Sequence, residues 1–124
     1  MSKQILTQQE WLVMEVLWKE PATLMELVRI LEQDPPGWAK STTATMIRRM
    51  EAKGLIAHDT QGRAKVFRAA IDKQAAALAE TRSLLDRAFS GSLGLLVNTM
   101  VREQGISKEE LQELYDILKQ TEGK

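Results

Sequence analysis

Residues 41–68 read Ser41-Thr42-Thr43-Ala44-Thr45-Met46-Ile47-Arg48-Arg49-Met50-Glu51-Ala52-Lys53-Gly54-Leu55-Ile56-Ala57-His58-Asp59-Thr60-Gln61-Gly62-Arg63-Ala64-Lys65-Val66-Phe67-Arg68, and a change of period inside this stretch decides the fold. As far as Lys53 the apolar stripe Thr43, Met46, Ile47 and Met50 has helical spacing, with Ser41 as the expected cap and Gly54 as the left-handed residue that ends the helix. The opposite face carries Thr42, Thr45, Arg48, Arg49 and Ala52. Beyond Gly54 the pattern is that of short extended segments. Leu55 to Asp59 and Ala64 to Arg68 flank the turn Thr60-Gln61-Gly62-Arg63 and predict a hairpin.

Upstream, two further helices are expected. Thr7-Gln8-Gln9-Glu10 has the form of a capping box, and Leu12, Val13, Val16 and Leu17 follow at helical spacing until Pro21 stops the run. Thr23-Leu24-Met25-Glu26 repeats the box and opens a helix with Leu24, Leu27, Val28 and Leu31 on one face; Asp34-Pro35-Pro36-Gly37 breaks the chain after it. Three short helices followed by a hairpin predict a winged helix-turn-helix, with the third helix as the groove-reading element and the Gln61-Gly62-Arg63 tip as the wing.

Downstream the expected fold stays helical. Ile71, Ala75, Leu78, Leu85 and Phe89 run at near-heptad spacing, interrupted by Arg82. Leu93, Leu96, Val97, Met100 and Val101 predict a second helix ending near Gly105. Ser107-Lys108-Glu109-Glu110 is a third capping box ahead of Leu111, Leu114, Tyr115 and Leu118. The chain is therefore expected to be mainly α (α+β), with a winged-helix head over residues 1–70 and a helical dimerisation region over 71–124. Three such amphipathic helices leave apolar faces that either fold back on the head or pair with a second copy. The dimerisation candidates are Leu78, Leu85, Phe89, Leu93, Leu96, Val97, Met100, Leu111, Leu114, Tyr115 and Leu118.

The 17 basic and 17 acidic residues cancel over the 124-residue chain, but not locally. From Lys40 to Arg68 there are seven basic residues against Glu51 and Asp59, whereas from Ile71 onward nine acidic residues outnumber seven basic ones. A basic segment built around a candidate recognition helix points to double-stranded DNA. Ser41, Thr42, Ala44 and Thr45, near the start of that helix, are the base-reading candidates, since hydroxyls donate or accept and methyls suit thymine. Capping and solvation are the other use of the same hydroxyls. Arg48, Arg49 and Lys53 further along, with Arg63 and Lys65 on the wing, are placed for phosphates. Trp18 lies on the helical stripe and is expected in the core; Trp38 either packs under the third helix or meets the DNA backbone.

Chemistry beyond binding finds no vocabulary here. There is no cysteine and one histidine, His58, so no disulfide, thiolate or His-rich metal site is expected. No phosphate-binding glycine loop and no G-x-S-x-G elbow occurs, and the acidic residues are spread over helix faces. We expect no enzyme, cofactor or metal. No run approaches the roughly 18 apolar residues of a membrane span, and Met1-Ser2-Lys3-Gln4-Ile5-Leu6 lacks an apolar leader, so the expectation is a cytoplasmic protein without membrane insertion. A winged helix that serves only as a protein-docking module is the alternative to a DNA-binding repressor.

Several segments, in register over nearly the whole chain, resemble the penicillinase-repressor (BlaI/MecI) family. Leu6 to Trp18 resembles its opening segment with a V-M-x-V-[IL]-W run. Trp38 and Thr42-x-x-Thr45-Met46-Ile47-x-Arg49-Met50-x-x-Lys53-Gly54 resemble its recognition-helix pattern, Gly62-Arg63 and Val66-Phe67 its wing, and Phe89 to Leu93 with Ser107 to Leu114 its tail. The resemblance implies a homodimeric repressor on a palindromic operator, dimerised through its C-terminal helices and induced through a membrane-bound sensor protease system. The scissile Asn-Phe pair of the best-known members falls on Thr99-Met100, the corresponding candidate protease-sensitive bond in a chain whose residues there differ. Copper-responsive relatives carry Cys-x-Cys motifs that this chain lacks. At 43 it has Thr where the family prefers an apolar branched residue, and at 44 Ala where some members are longer and polar.

Overall fold

The computed structural model describes residues 5–103 and 105–122. Met1 to Gln4, part of the leader reading, lie outside them. The order of elements is α1 (Gln8–Leu17), β1 (Ala22–Thr23), α2 (Leu24–Leu31), α3 (Lys40–Ala52), β2 (Ile56–Gln61), β3 (Ala64–Ala69), α4 (Lys73–Ala88), α5 (Leu93–Arg102) and α6 (Lys108–Glu122). This is a winged helix-turn-helix followed by a helical tail, and it divides into two compact units, Met1–Thr81 and Arg82–Lys124.

Local signals place the helix starts. Thr7 Oγ1 accepts from the Glu10 N–H at 3.1 Å while the Thr7 N–H donates to Glu10 Oε1 at 2.9 Å. Thr23 and Glu26 repeat this at α2, and Ser107 and Glu110 at α6. α3 departs from expectation: it begins one residue before Ser41, with Ala39 as a cap that makes no side-chain hydrogen bond. Ala39 takes the extended cap conformation, so Ser41 falls in the first turn and its hydroxyl is exposed. Gly54, at φ +82°, ends the helix as its spacing predicted.

The core of the first unit gathers Val13, Met14 and Leu17 of α1, Leu27 and Leu31 of α2, Ile47 and Met50 of α3, and Leu55, Ile56 and Phe67 of the hairpin. The buried stripe of α1 differs from the reading above, and Val16 is only half-buried. Leu12 is 41% exposed, and the buried stripe is Glu10, Val13, Met14 and Leu17. The spacing is helical as expected, but one member is a carboxylate, which an apolar pattern passes over. Sequence reading also missed β1, a two-residue strand whose Ala22 and Thr23 pair with Phe67 and Val66, so the sheet has three strands in the order β1-β3-β2. So short a strand carries no period of its own.

Glu10, 4% exposed, is held by Lys53, the C-cap residue of α3, whose Nζ donates to Oε2 at 2.5 Å. Burial pushes this carboxyl up, but the Lys53 ammonium and the Thr7 hydrogen bonds outweigh it and hold the group below its ordinary value. On the same unit Trp18 Nε1 donates to the Ile71 carbonyl at 2.9 Å, and its ring lies edge-to-face with Trp11 at 5.4 Å. Lys73, at the start of α4, sits 5.8 Å from the Trp18 centroid and bonds Glu15 at 3.1 Å. α4 thus starts on the head, where Ala76 is buried and Ala75, a member of the near-heptad seam, is exposed. Trp38 packs partly buried against the core, its N–H on the Leu31 carbonyl.

The second unit is different in kind. Ser90 and Gly91, both at positive φ, turn the chain between α4 and α5. Neither α5 nor α6 has a buried residue. Leu93, Tyr115 and Leu118 are 60%, 67% and 61% exposed. Among the described residues no helix is long and apolar enough to cross a membrane.

Two stability outcomes follow. Thr43 is fully buried and its Oγ1 has no hydrogen-bond partner among the described residues, so Thr43→Val, which keeps the shape and removes the unsatisfied hydroxyl, should stabilise the protein by about 1 kcal/mol in urea titrations. Lys53→Met should destabilise by about 1–3 kcal/mol and more than Glu10→Gln, because it strands a buried carboxylate whereas the glutamine variant leaves no charge buried. With its folded pKa depressed, Glu10 contributes fully above the ordinary value of 4.5 and loses that contribution as the pH falls through the depressed value. The stability gap between the native protein and Glu10→Gln should therefore close in that acid range.

Candidate nucleic-acid interface

α3 is dry on one side and wet on the other. Thr43, Ile47 and Met50 are buried, Ala44, Thr45 and Met46 are half-buried, and Ser41, Thr42, Arg48, Arg49 and Ala52 are exposed. Ser41, Thr42, Thr45, Met46 and Arg49 line one shallow hollow on its outer surface. Four of the candidates thus share a single concave patch, with Ala44 on its flank and Arg48 on the neighbouring exposed arc.

The hairpin is a regular antiparallel pair in which Ile56 to Gln61 face Ala69 back to Ala64. Its two-residue tip is Gly62-Arg63, and Gly62 has φ +63°, a conformation strained for any residue with a Cβ. Arg63 and Lys65 are exposed there. His58 on β2 contacts the Glu51 carboxylate of α3 and lies edge-to-face with Phe67 at 5.6 Å, which ties the wing to the third helix. Arg68 bonds Asp59 at 3.0 Å across the hairpin.

These pairings change the meaning of the local charge. The segment's two carboxylates, Glu51 and Asp59, are engaged by His58 and Arg68, and Lys53 is engaged by Glu10. Among the described residues Lys40, Arg48, Arg49, Arg63 and Lys65 have no ion pair. Five cations of one short segment are left facing solvent. Lys53, counted with them from the sequence, serves a buried carboxylate 43 positions away. That carboxylate is the functional neighbour sequence reading missed; its signal was a Glu at helical spacing with Val13, Met14 and Leu17.

The tail candidates are all uncovered to some degree. Leu78, Leu93, Met100, Leu111, Tyr115 and Leu118 are exposed, and Leu85, Phe89, Leu96, Val97 and Leu114 are half-buried. Thr99 and Met100 lie inside α5, with Thr99 Oγ1 donating to the Leu95 carbonyl at 2.8 Å. No group of three or more metal-ligating side chains occurs among the described residues.

A helix-turn-helix closed by a hairpin, with a polar and cation-bearing third helix, defines a winged-helix protein. The chain belongs to the penicillinase repressor family, whose model matches residues 6–120. It is similar to the penicillinase repressor of Bacillus licheniformis, with 31% identity over 109 residues, 87% of this chain and 84% of that protein. It is also similar to the methicillin resistance regulatory protein MecI of Staphylococcus aureus (strain N315), at 22% over 114 residues, 91% and 92% of the two chains. A MecI of Mammaliicoccus sciuri matches at the same identity and coverage. This is a family of repressors and not a class of enzymes.

The wing geometry makes one prediction. Gly62→Ala should lower stability by about 1 kcal/mol through left-handed strain, while Asp59→Asn, which removes an exposed pair, should change it by less than about 0.5 kcal/mol. Thermal melts of the two variants read the difference.

Proposed function

We propose that the protein is a homodimeric transcriptional repressor that sets α3 into the major groove of a palindromic operator and rests its wing on the adjacent phosphates. The observation that carries this reading is the set of five unpaired cations on α3 and the wing, around a hydroxyl-lined helix face. Phosphate contacts supply affinity and base edges supply sequence. Ser41, Thr42, Ala44 and Thr45 read bases. Arg48, Arg49, Arg63 and Lys65 neutralise phosphates; Lys53 lies at the same end of α3, with its ammonium already on Glu10.

Residues 1–70 bind DNA and 71–124 dimerise, the first turns of α4 also buttressing the head through Trp18 and Ala76. The lack of any buried residue on α5 and α6 supports the dimer: burying apolar surface stabilises by about 25 cal/mol per Å², and a second copy supplies the matching face. Repression is occupancy of a promoter-overlapping site in the cytoplasm, and loss of the dimer is its release. Cleavage at Thr99-Met100, inside α5, by a membrane-bound sensor protease system would divide that face.

Fluorescence anisotropy with DNA from upstream of the gene and a scrambled duplex, at two salt concentrations, tests the reading. Tight, salt-sensitive binding at two protomers per site to the upstream DNA alone is expected; no binding even at low salt would favour a protein-docking role. Arg49→Ala should weaken both duplexes alike and lower the salt slope by about 1, while Thr45→Ala should cost about 1–3 kcal/mol of discrimination at one base pair. Truncation after Ser90 should leave a folded head with greatly weakened binding, and an undiminished affinity would refute the tail as the clamp.

A further inference from the structure

We infer that Glu10 and Lys53 form a strut that sets the angle of α3, and that Lys53 acts through this pair and not on a DNA phosphate. The inference rests on the DNA-binding reading above and deepens it.

The strut is fixed at both ends. Glu10 lies in the first turn of α1, where Oε1 accepts the Thr7 N–H at 2.9 Å and Oε2 accepts the Lys53 ammonium at 2.5 Å. At the other end, the Lys53 N–H bonds the Arg49 carbonyl, and the Leu55 N–H, just past the left-handed Gly54, bonds the Met50 carbonyl at 3.0 Å. Leu55 is 1% exposed, and its carbonyl accepts the Ala70 N–H from the end of the hairpin. One ion pair therefore joins α1 to the point where α3 ends and the wing begins.

Its position gives it leverage. α3 has 13 residues and rises 1.5 Å per residue, so it is about 20 Å long. A pivot of about 5° at its C-terminal end displaces Ser41 and Thr42, at the other end, by about 1.5 Å. That displacement is enough to break hydrogen bonds to base edges, which need donor and acceptor about 3 Å apart, while long, flexible arginines still find phosphates. The electrostatics give Glu10 the first claim on the Lys53 ammonium. Drawing its ammonium onto a phosphate would strip the cation from a carboxylate that is 4% exposed.

The test uses the full-length protein and the tightest duplex selected from random-sequence DNA, beside a scrambled duplex, with anisotropy at several salt concentrations. Glu10→Gln, Lys53→Met, the double variant and Lys53→Arg are compared at a temperature where circular dichroism shows each one folded; Gln can still close the capping box. Each single variant should lose about tenfold in affinity for the selected duplex, with the scrambled affinity and salt slope unchanged. The double variant should lose no more than the worse single one, and Lys53→Arg should retain most of the preference. A merely destabilised head would not alter the ratio between the two duplexes. Additive losses would overturn the strut, as would a Lys53→Met variant that weakens both duplexes alike and lowers the salt slope by about 1. If the native protein selects no sequence, the DNA reading fails by itself, and amide exchange decides the strut: faster exchange at Gly54 and Leu55 in both single variants supports it, and unchanged exchange overturns it.

Discussion

The burial of one side of α3 is the constraint on which the rest of the head depends. Thr43, Ile47 and Met50 enter the same core as the inner residues of α1, α2 and the hairpin, and each fully buried apolar side chain of this size contributes about 1.5–3 kcal/mol. Because 3.6 residues make a turn, burying those positions leaves Thr42, Thr45, Arg48 and Arg49 on the outside. The proposed binding face is thus the geometric complement of the core face, and neither can be rotated without the other. The cost is visible at Thr43, whose buried hydroxyl has no hydrogen-bond partner among the described residues.

Charge follows a second economy. The molecule has no net charge, yet it sorts its pairs so that cations near the outer face of α3 and the wing are left unengaged while the nearby carboxylates are not. Glu51 holds His58 and Asp59 holds Arg68, so both acidic groups of the basic segment are occupied inside it. The exposed Asp59–Arg68 pair adds little to stability. What remains is five cations of the segment with no ion pair among the described residues.

The tail obeys the same hydrophobic rule with the opposite result. Where the head closes over its apolar residues, α5 and α6 bury none, and a face that a single chain leaves wet is one that a second chain can cover. α4 bridges the two behaviours: Ala76 is seated on the head, as is Ile71 just before the helix, while Leu78 is apolar but uncovered. In the proposed dimer, separating the copies would remove half the phosphate contacts at once.

The sequence by itself determined the order of helices and hairpin, three capping boxes, the left-handed Gly54 and the two faces of α3, because each is set by residues within a turn or two of one another. It also carried the family, through motifs in register from Leu6 to Leu114. Only the tertiary structure decided that Glu10 belongs to the buried stripe of α1 while Leu12 stays wet, that Ala22 and Thr23 extend the sheet, that Ala39 rather than Ser41 caps α3, and that Lys53 is engaged where Arg48 and Arg49 are not. These depend on which side chains meet after the chain has closed on itself. A carboxylate is read as a surface group until its cation arrives from 43 residues away, and a two-residue strand has no pattern until a neighbouring strand supplies its hydrogen bonds.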